Sequence, residues 1–287
     1  MSRQVDRVTL MGEKKKMKVV VASCSRTGTL GLHEAMEMLG YSPYHMIDVM
    51  FKGREPHMKV FREGIIAANN RFSGIKRFER EDMDKWVGDC DCVLEMSSYV
   101  GLRALKGYAE DPEIKFILTE RSPEKWARSM NNTVAKAIMV ADTFPMNLFV
   151  HFDSELYTFF DLARFMYLAW SDGTMPGHPN NEAALRQNYI EYIRGAKEIL
   201  PKDRLQVIKL EDGLGWEQIC PFLELPIPEQ PYPRGNEPDK FEKIIIDYLQ
   251  PRVNAAMMKL GALVVPTLGV AGYLGWKYFD VIKTLRR

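Results

Sequence analysis

Five consecutive residues, Ser25-Arg26-Thr27-Gly28-Thr29, carry the densest anion-binding chemistry in the chain. They follow a β-branched apolar run at 19–22, short enough for a buried parallel strand. They precede a segment in which Leu32, Ala35, Met36 and Leu39 recur at helical spacing until Gly40 ends it. A loop that opens a helix directs free N–H groups and the positive end of the dipole at one spot, the makings of a phosphate cradle that includes the Leu30 amide. Gly28 lets the backbone approach a ligand closely, Thr27 and Thr29 are expected to add hydroxyl donors, and Arg26 adds a fixed charge. This is not a Walker A loop: the leading glycine and the lysine before the final Ser/Thr of GxxxxGK[ST] are both missing.

A second loop has compatible chemistry. The apolar stretch 114–120 reads as a strand, and Ser122, Pro123 and Glu124 then supply a cap, a first-turn proline and a dipole-matched acid for a helix. Arg121 sits at the strand end and Ser129 eight residues on, roughly two helical turns away, so both can face one crevice. An arginine with a hydroxyl suits a second phosphate; a surface arginine and an ordinary helix serine is the competing reading. A further strand over 90–96 ends in Glu95, and residues 43–48 form a short strand that places His45 near the sheet ends.

The elements needed to position these groups alternate strand and helix. That order predicts an α/β fold, a three-layer parallel sheet with helices on both faces, with ligands bound beyond the carboxyl ends of the strands. Helices are expected over 57–69, 99–109, 181–200 and 240–258, a strand over 205–210, a closing helix around Trp216 and Phe222, and a charged, exposed stretch over 76–85. Residues 131–170, rich in Met and aromatics such as Met139, Phe144, Met146, Phe159 and Phe160, supply either an apolar acceptor pocket or plain core.

With 287 residues and 46% hydrophobic content the chain can fill a sizeable core, and a net charge of +1 argues against a general nucleic-acid partner. The four cysteines show no CxxC pair and no zinc spacing with the five histidines, so free buried thiols in a reducing compartment are expected, with no metal. Residues 1–16 read as a flexible basic arm without a signal segment, and residues 17–258 as the α/β domain. Residues 259–287 differ in character: 260–276 carry no charge and, extended to Phe279 past a snorkelling Lys277, span about 20 residues, the length a ~30 Å hydrocarbon core requires. The tail is either a C-terminal membrane anchor, leaving the domain cytosolic on an intracellular membrane, or a helix packed on the domain.

The order and spacing of the 25–29 loop, Leu39-Gly40-Tyr41 with Tyr44-His45-Met46, Arg121 with Ser129, and residues 215–223 followed by Pro226-Ile227-Pro228 and Pro231-Tyr232-Pro233 resemble the P-loop-like sulfotransferases, in the branch common in fungi, plants and invertebrates. The resemblance covers residues 17–236. It implies 3′-phosphoadenosine-5′-phosphosulfate (PAPS) as donor and a hydroxyl or amine of a small or lipid-like molecule as acceptor. By position it implies that Ser25, Arg26, Thr27, Gly28, Thr29 and Leu30 hold the 5′-phosphosulfate, and that Arg121, Ser129, Arg234 and Gly235 hold the 3′-phosphate. Where much of the family has a lysine, Arg26 stands here and serves as an electrostatic clamp rather than an acid. The family's usual Asp-x-Pro is replaced by Glu95-Met96-Ser97, which leaves Glu95 or His45 as the general base. A P-loop-type phosphotransferase and a catalytically silent nucleotide-binding membrane adaptor are the competing classes, and a homo-oligomer stays open.

Overall fold

The computed structural model describes residues 3–233 and 238–285. Arg234 and Gly235, assigned above to the 3′-phosphate, lie outside the described residues. The centre is a parallel five-stranded sheet, with β1 (Val19–Val21), β2 (Pro43–Tyr44), β3 (Cys92–Leu94), β4 (Lys115–Glu120) and β5 (Leu205–Lys209) in the order β2-β3-β1-β4-β5. β1 lies in the middle, with Val21 level with Leu94 on one side and Ile117 on the other. Its three valines are buried on both sheet faces, which is why the strand reads as an unbroken apolar run.

Alternation divides the core into layers. Val20, Val93, Phe116 and Leu118 join a large cluster containing Trp86 and Trp126, whereas Val19, Val21, Leu94 and Ile117 pack against Leu32, Met36, Ile219 and Leu223. Leu32 and Met36 come from the helix Thr29–Met38 that follows β1, and Ile219 and Leu223 from the closing helix Trp216–Leu223. Each such fully buried aliphatic side chain contributes on the order of 1.5–3 kcal/mol.

Three expectations are corrected. The N-terminal arm is not free: Val5 is 1% exposed in the core, and the Gln4 and Val5 amides donate to the Glu63 carboxylate at 2.8 and 3.1 Å. The stretch 76–85 is not simply exposed, since Phe78 and Met83 are buried and Arg80–Val87 is helical. The helix expected over 99–109 is two, Ser97–Val100 and Leu102–Ala109, parted at Gly101, whose φ of +97° breaks the helical path.

The helix beginning at Pro123 continues past Met130 through one wider turn to Ala141, and Met146–Phe149 and Val150–Phe152 follow. The chain ends in a single helix, Pro238–Leu285. Its first part belongs to the domain: Tyr248 and Ala256 are fully buried, and Arg252 pairs with Glu155. Every side chain from 262 to 279 is exposed, so the reading of the tail as a helix packed on the domain does not hold.

Candidate active site

The candidate site lies at the carboxyl ends of β1, β3 and β4. β1 delivers the 25–29 loop, in which Arg26 (φ +69°) and Gly28 (φ +96°) are left-handed. Gly28 caps the helix Thr29–Met38 without any side-chain cap, so the first-turn N–H groups open toward the mouth of the loop. β4 delivers Arg121 and then the helix that carries Ser129.

The two loops are joined by hydrogen bonds. Arg26 Nε donates to Ser129 Oγ at 3.3 Å, and Arg121 Nη1 donates to the Arg26 carbonyl at 2.8 Å. The Arg121 amide donates to Tyr189 OH at 3.0 Å. Arg121 Nε is buried with no hydrogen-bond partner, a donor aimed at nothing in the chain. Burial and the like charge of Arg121 lower the Arg26 guanidinium from its ordinary value, against the opposing pull of Glu95. Two crowded guanidinium groups, an unpartnered N–H and an uncapped helix end all fit an anionic group such as a phosphate or sulfate ester. On its other side Arg121 borders an open groove of about 730 Å³. There Lys197 is paired with Glu120 at 2.5 Å.

β3 delivers Glu95, 2% exposed and itself left-handed at φ +58°, a conformation costing a non-glycine residue roughly 1–2 kcal/mol. Its Oε2 accepts from the Thr29 hydroxyl at 2.9 Å. Its Oε1 lies 3.1 Å from His45 Nε2, which is also 3.1 Å from Thr29 Oγ1. Burial would raise the carboxyl, but its interaction with His45 and hydrogen bonds from His45, Thr29 and Ser25 outweigh it and hold Glu95 below the usual range. His45 Nδ1 accepts the Ile47 amide at 3.3 Å, which assigns the ring proton to Nε2, facing Glu95. The His45 amide in turn donates to Asp48, whose carboxylate also meets His33 at 2.8 Å and Lys52 at 2.6 Å. Glu95 thus sits as an ionised acceptor with His45 fixing its direction.

The hydroxyls of Thr27 and Thr29, expected at the phosphate, are turned elsewhere. Thr27 donates to the Cys24 carbonyl at 2.6 Å and lies 2.8 Å from Thr119 Oγ1, while Thr29 serves Glu95. What both offer the loop mouth is main chain. Leu30 is buried beside them. Sequence spacing did not reveal the loop's supports: Tyr99 OH donates to Ser25 Oγ at 2.9 Å, Trp126 Nε1 to the Ser25 carbonyl at 2.8 Å, and Tyr192 OH to the Ala22 carbonyl at 2.9 Å. They come from remote segments and carry no local signature. The aromatic-rich middle splits: Phe159 and Phe160 are core, whereas Met139 and Phe144 face outward, so none of these four is shown to wall a pocket. The four cysteines are free and buried, and among the described residues no three His, Cys, Asp or Glu side chains are grouped to hold an ion.

Comparison with known proteins bears on the same residues. A family model described as a sulfotransferase domain matches residues 18–241. The Ava biosynthesis cluster protein M of Aspergillus versicolor is 32% identical over 218 residues, 76% of this chain and 80% of that protein. A crystal structure of a sulfotransferase from Alicyclobacillus acidocaldarius aligns over 87% of this chain and 96% of its own at 17% identity, with a TM-score of 0.40. Because the matched region takes in all five strands, the 25–29 and 121–129 segments and the Glu95–His45 pair, the chain belongs to the sulfotransferase family.

Proposed function

We propose that the protein transfers a sulfuryl group from PAPS to a hydroxyl or amine of a small or lipid-like acceptor. The observation that carries this reading is the convergence of Arg26 and Arg121 on an uncapped helix N-terminus, with a buried Arg121 N–H left for a ligand. The donor supplies an activated sulfuryl group on a phosphate leaving group; the chain supplies charge, position and a proton acceptor. Arg26 and the N–H groups of 27–30 face the phosphosulfate and meet the negative charge that grows on the leaving oxygen. Arg121 and Ser129 face the 3′-phosphate, and Arg234 and Gly235 remain assigned to it by resemblance. Glu95 takes the acceptor's proton as the new bond to sulfur forms, and His45 keeps the carboxylate ionised and aimed. The Aspergillus versicolor relative is named for a biosynthesis cluster, and a small-molecule acceptor here is in keeping with that name.

The helix stretch Lys243–Phe279 is long and apolar enough to cross a membrane, and its distal part is bare. We assign it as a C-terminal anchor that holds a cytosolic catalytic domain at an intracellular membrane. The reading as a whole is tested by calorimetric titration of the full chain in detergent with adenosine 3′,5′-bisphosphate and, in parallel, with ATP. Preferential bisphosphate binding, lost in Arg121→Ala, is expected. A folded protein that binds only ATP, with magnesium-dependent turnover, points instead to a phosphotransferase; bisphosphate binding with no transfer to any acceptor points to a silent adaptor.

A further inference from the structure

The apolar tail is not the only bare hydrophobic surface. The helix ending at Ala141 and the segment Met146–Phe152 are bent by 68° from one another, an open hairpin along which Met139, Val140, Phe144 and Leu148 are exposed. Phe144, at the bend, is 76% exposed. A single exposed apolar residue is ordinary, but four within ten residues of one bend are worth an explanation.

Its position relative to the tail says what covers it. The C-terminal helix packs against Met146–Phe149 and Val150–Phe152 on its way out of the domain. Its last ionic tie among the described residues is Lys259 Nζ to Asp153 Oδ2 at 3.6 Å, one residue beyond the hairpin. The uncharged run starts at the next residue, and the helix is unbroken there. At 1.5 Å per residue, residues 260–279 provide about 30 Å, the full hydrocarbon thickness, with nothing to spare for a linker. The hydrocarbon boundary must therefore fall within about one helical turn, ~5 Å, of the Lys259–Asp153 pair, and so beside the hairpin.

We infer that the 139–149 hairpin is a second membrane contact, an apolar wedge seated in the headgroup region of the bilayer that the tail crosses. The inference rests on the anchor assignment above. A wedge of this kind needs only shallow burial, and nearby charges such as Asp142, paired with Arg164, stay in the polar layer. Since the hairpin continues the helix that carries Ser129, the wedge also holds the catalytic mouth close to the membrane surface.

The test uses the full chain in lipid nanodiscs with an environment-sensitive fluorophore on single introduced cysteines. All four native cysteines are buried, so an exposed one labels selectively. The sites are Phe144→Cys and Leu148→Cys in the hairpin, Val270→Cys in mid-tail and Phe72→Cys on an exposed turn of the domain. Expected is quenching of the hairpin labels by lipids spin-labelled near the headgroup more than by those labelled deep in the chain, the reverse order for Val270→Cys, and no lipid quenching for Phe72→Cys. Lipid quenching at Val270→Cys with hairpin labels open to aqueous iodide overturns the wedge and leaves the anchor. Hairpin labels shielded from iodide yet untouched by spin-labelled lipid overturn it in favour of a protein partner or a second copy. No lipid quenching at any site, Val270→Cys included, removes the anchor and the wedge together.

Discussion

The Arg121 guanidinium donates from Nη1 to the main-chain carbonyl of Arg26 at 2.8 Å, so the loop after β4 holds the loop after β1 in shape. Arg121 therefore has two jobs: an orphaned Nε available to a ligand and an Nη1 that steadies a left-handed residue. A lysine keeps the charge but cannot do both, because its ammonium lacks the planar fork. Arg121→Lys is expected to weaken bisphosphate binding roughly tenfold or more, on the order of 1–3 kcal/mol for a charge-assisted bond, by calorimetry. An unchanged Kd removes Arg121 from the donor site.

Arg26→Ala is expected to cut turnover by roughly 10²-fold or more, the usual scale for deleting one preorganised charge stabiliser. Arg26→Gly separates charge from backbone, since glycine accepts the φ of +69° without strain and still lacks the cation. Turnover falling in both variants assigns the effect to the guanidinium. Recovery in Arg26→Gly assigns it to loop shape.

Glu95→Gln keeps the size of the side chain and removes the carboxylate proposed above as proton acceptor. Turnover should drop about 10²- to 10⁴-fold while bisphosphate affinity stays within a few-fold; retained turnover would pass the role of base to His45. The same carboxyl is held below its ordinary 4.5, so on acidification the unfolded chain protonates first. Its contribution to stability is complete above about pH 4.5 and fades below it as pH falls through the folded value. Denaturant midpoints measured across that range should decline less steeply in Glu95→Gln than in the native chain.

His57 titrates higher on the scale. Burial lowers this ring from its ordinary 6.5, only partly offset by Asp89, and its Nδ1 receives Trp86 Nε1–H at 3.2 Å and lies 2.6 Å from Tyr44 OH. The unfolded state takes the proton first, so stability should fall as pH drops below about 6.5. Urea midpoints at neutral and mildly acidic pH should diverge in the native chain and converge in His57→Gln; an equal slope in both removes His57 as the cause.

Removing residues 259–287 should move the protein from the membrane pellet to the soluble fraction while leaving it folded. Among the described residues the segment's ionic tie to the domain runs from the exposed Lys259 to the largely buried Asp153, at 3.6 Å, and the side chains from 262 to 279 are exposed. Cutting before Tyr248 is a different experiment, because that ring is fully buried against Phe159 and Phe51 and losing such an aromatic costs about 3–5 kcal/mol. A 258-residue chain that aggregates would return the tail to the fold.

Much of the framework was legible in the sequence because it depends on periodicity and punctuation. The run 19–22 reads as a buried strand and Val19–Val21 forms one, the 25–29 stretch reads as a loop opening a helix and Thr29–Met38 is that helix, and Pro123 stands in a first turn as read. Strand end and helical repeat suggested that Arg121 and Ser129 could face one crevice, but not that Ser129 takes a hydrogen bond from Arg26. What was missed depends on rotamers and remote partners. Periodicity places Thr27 and Thr29 in the loop but cannot say that their hydroxyls turn to Thr119 and Glu95. Val5 is one apolar residue in a polar arm, with no pattern to announce that it is buried. Tyr99, Trp126 and Tyr192 read as core aromatics, and only their polar edges, invisible to an apolar count, connect them to the loop.

The unbroken run of Pro238–Leu285 gives the tail a rotational phase as well as a length. Each helical residue advances about 100° and 1.5 Å, so the azimuth of Tyr273 and Trp276 about the helix axis is locked to the azimuth of Tyr248 in the core. One residue inserted after Lys259 would barely alter the height of the domain yet would turn the distal face by more than a quarter of a revolution. Four inserted residues would nearly restore the phase while lifting the domain by about 6 Å. Height and heading are thus separable variables in this chain, and insertions of one and four residues address them independently.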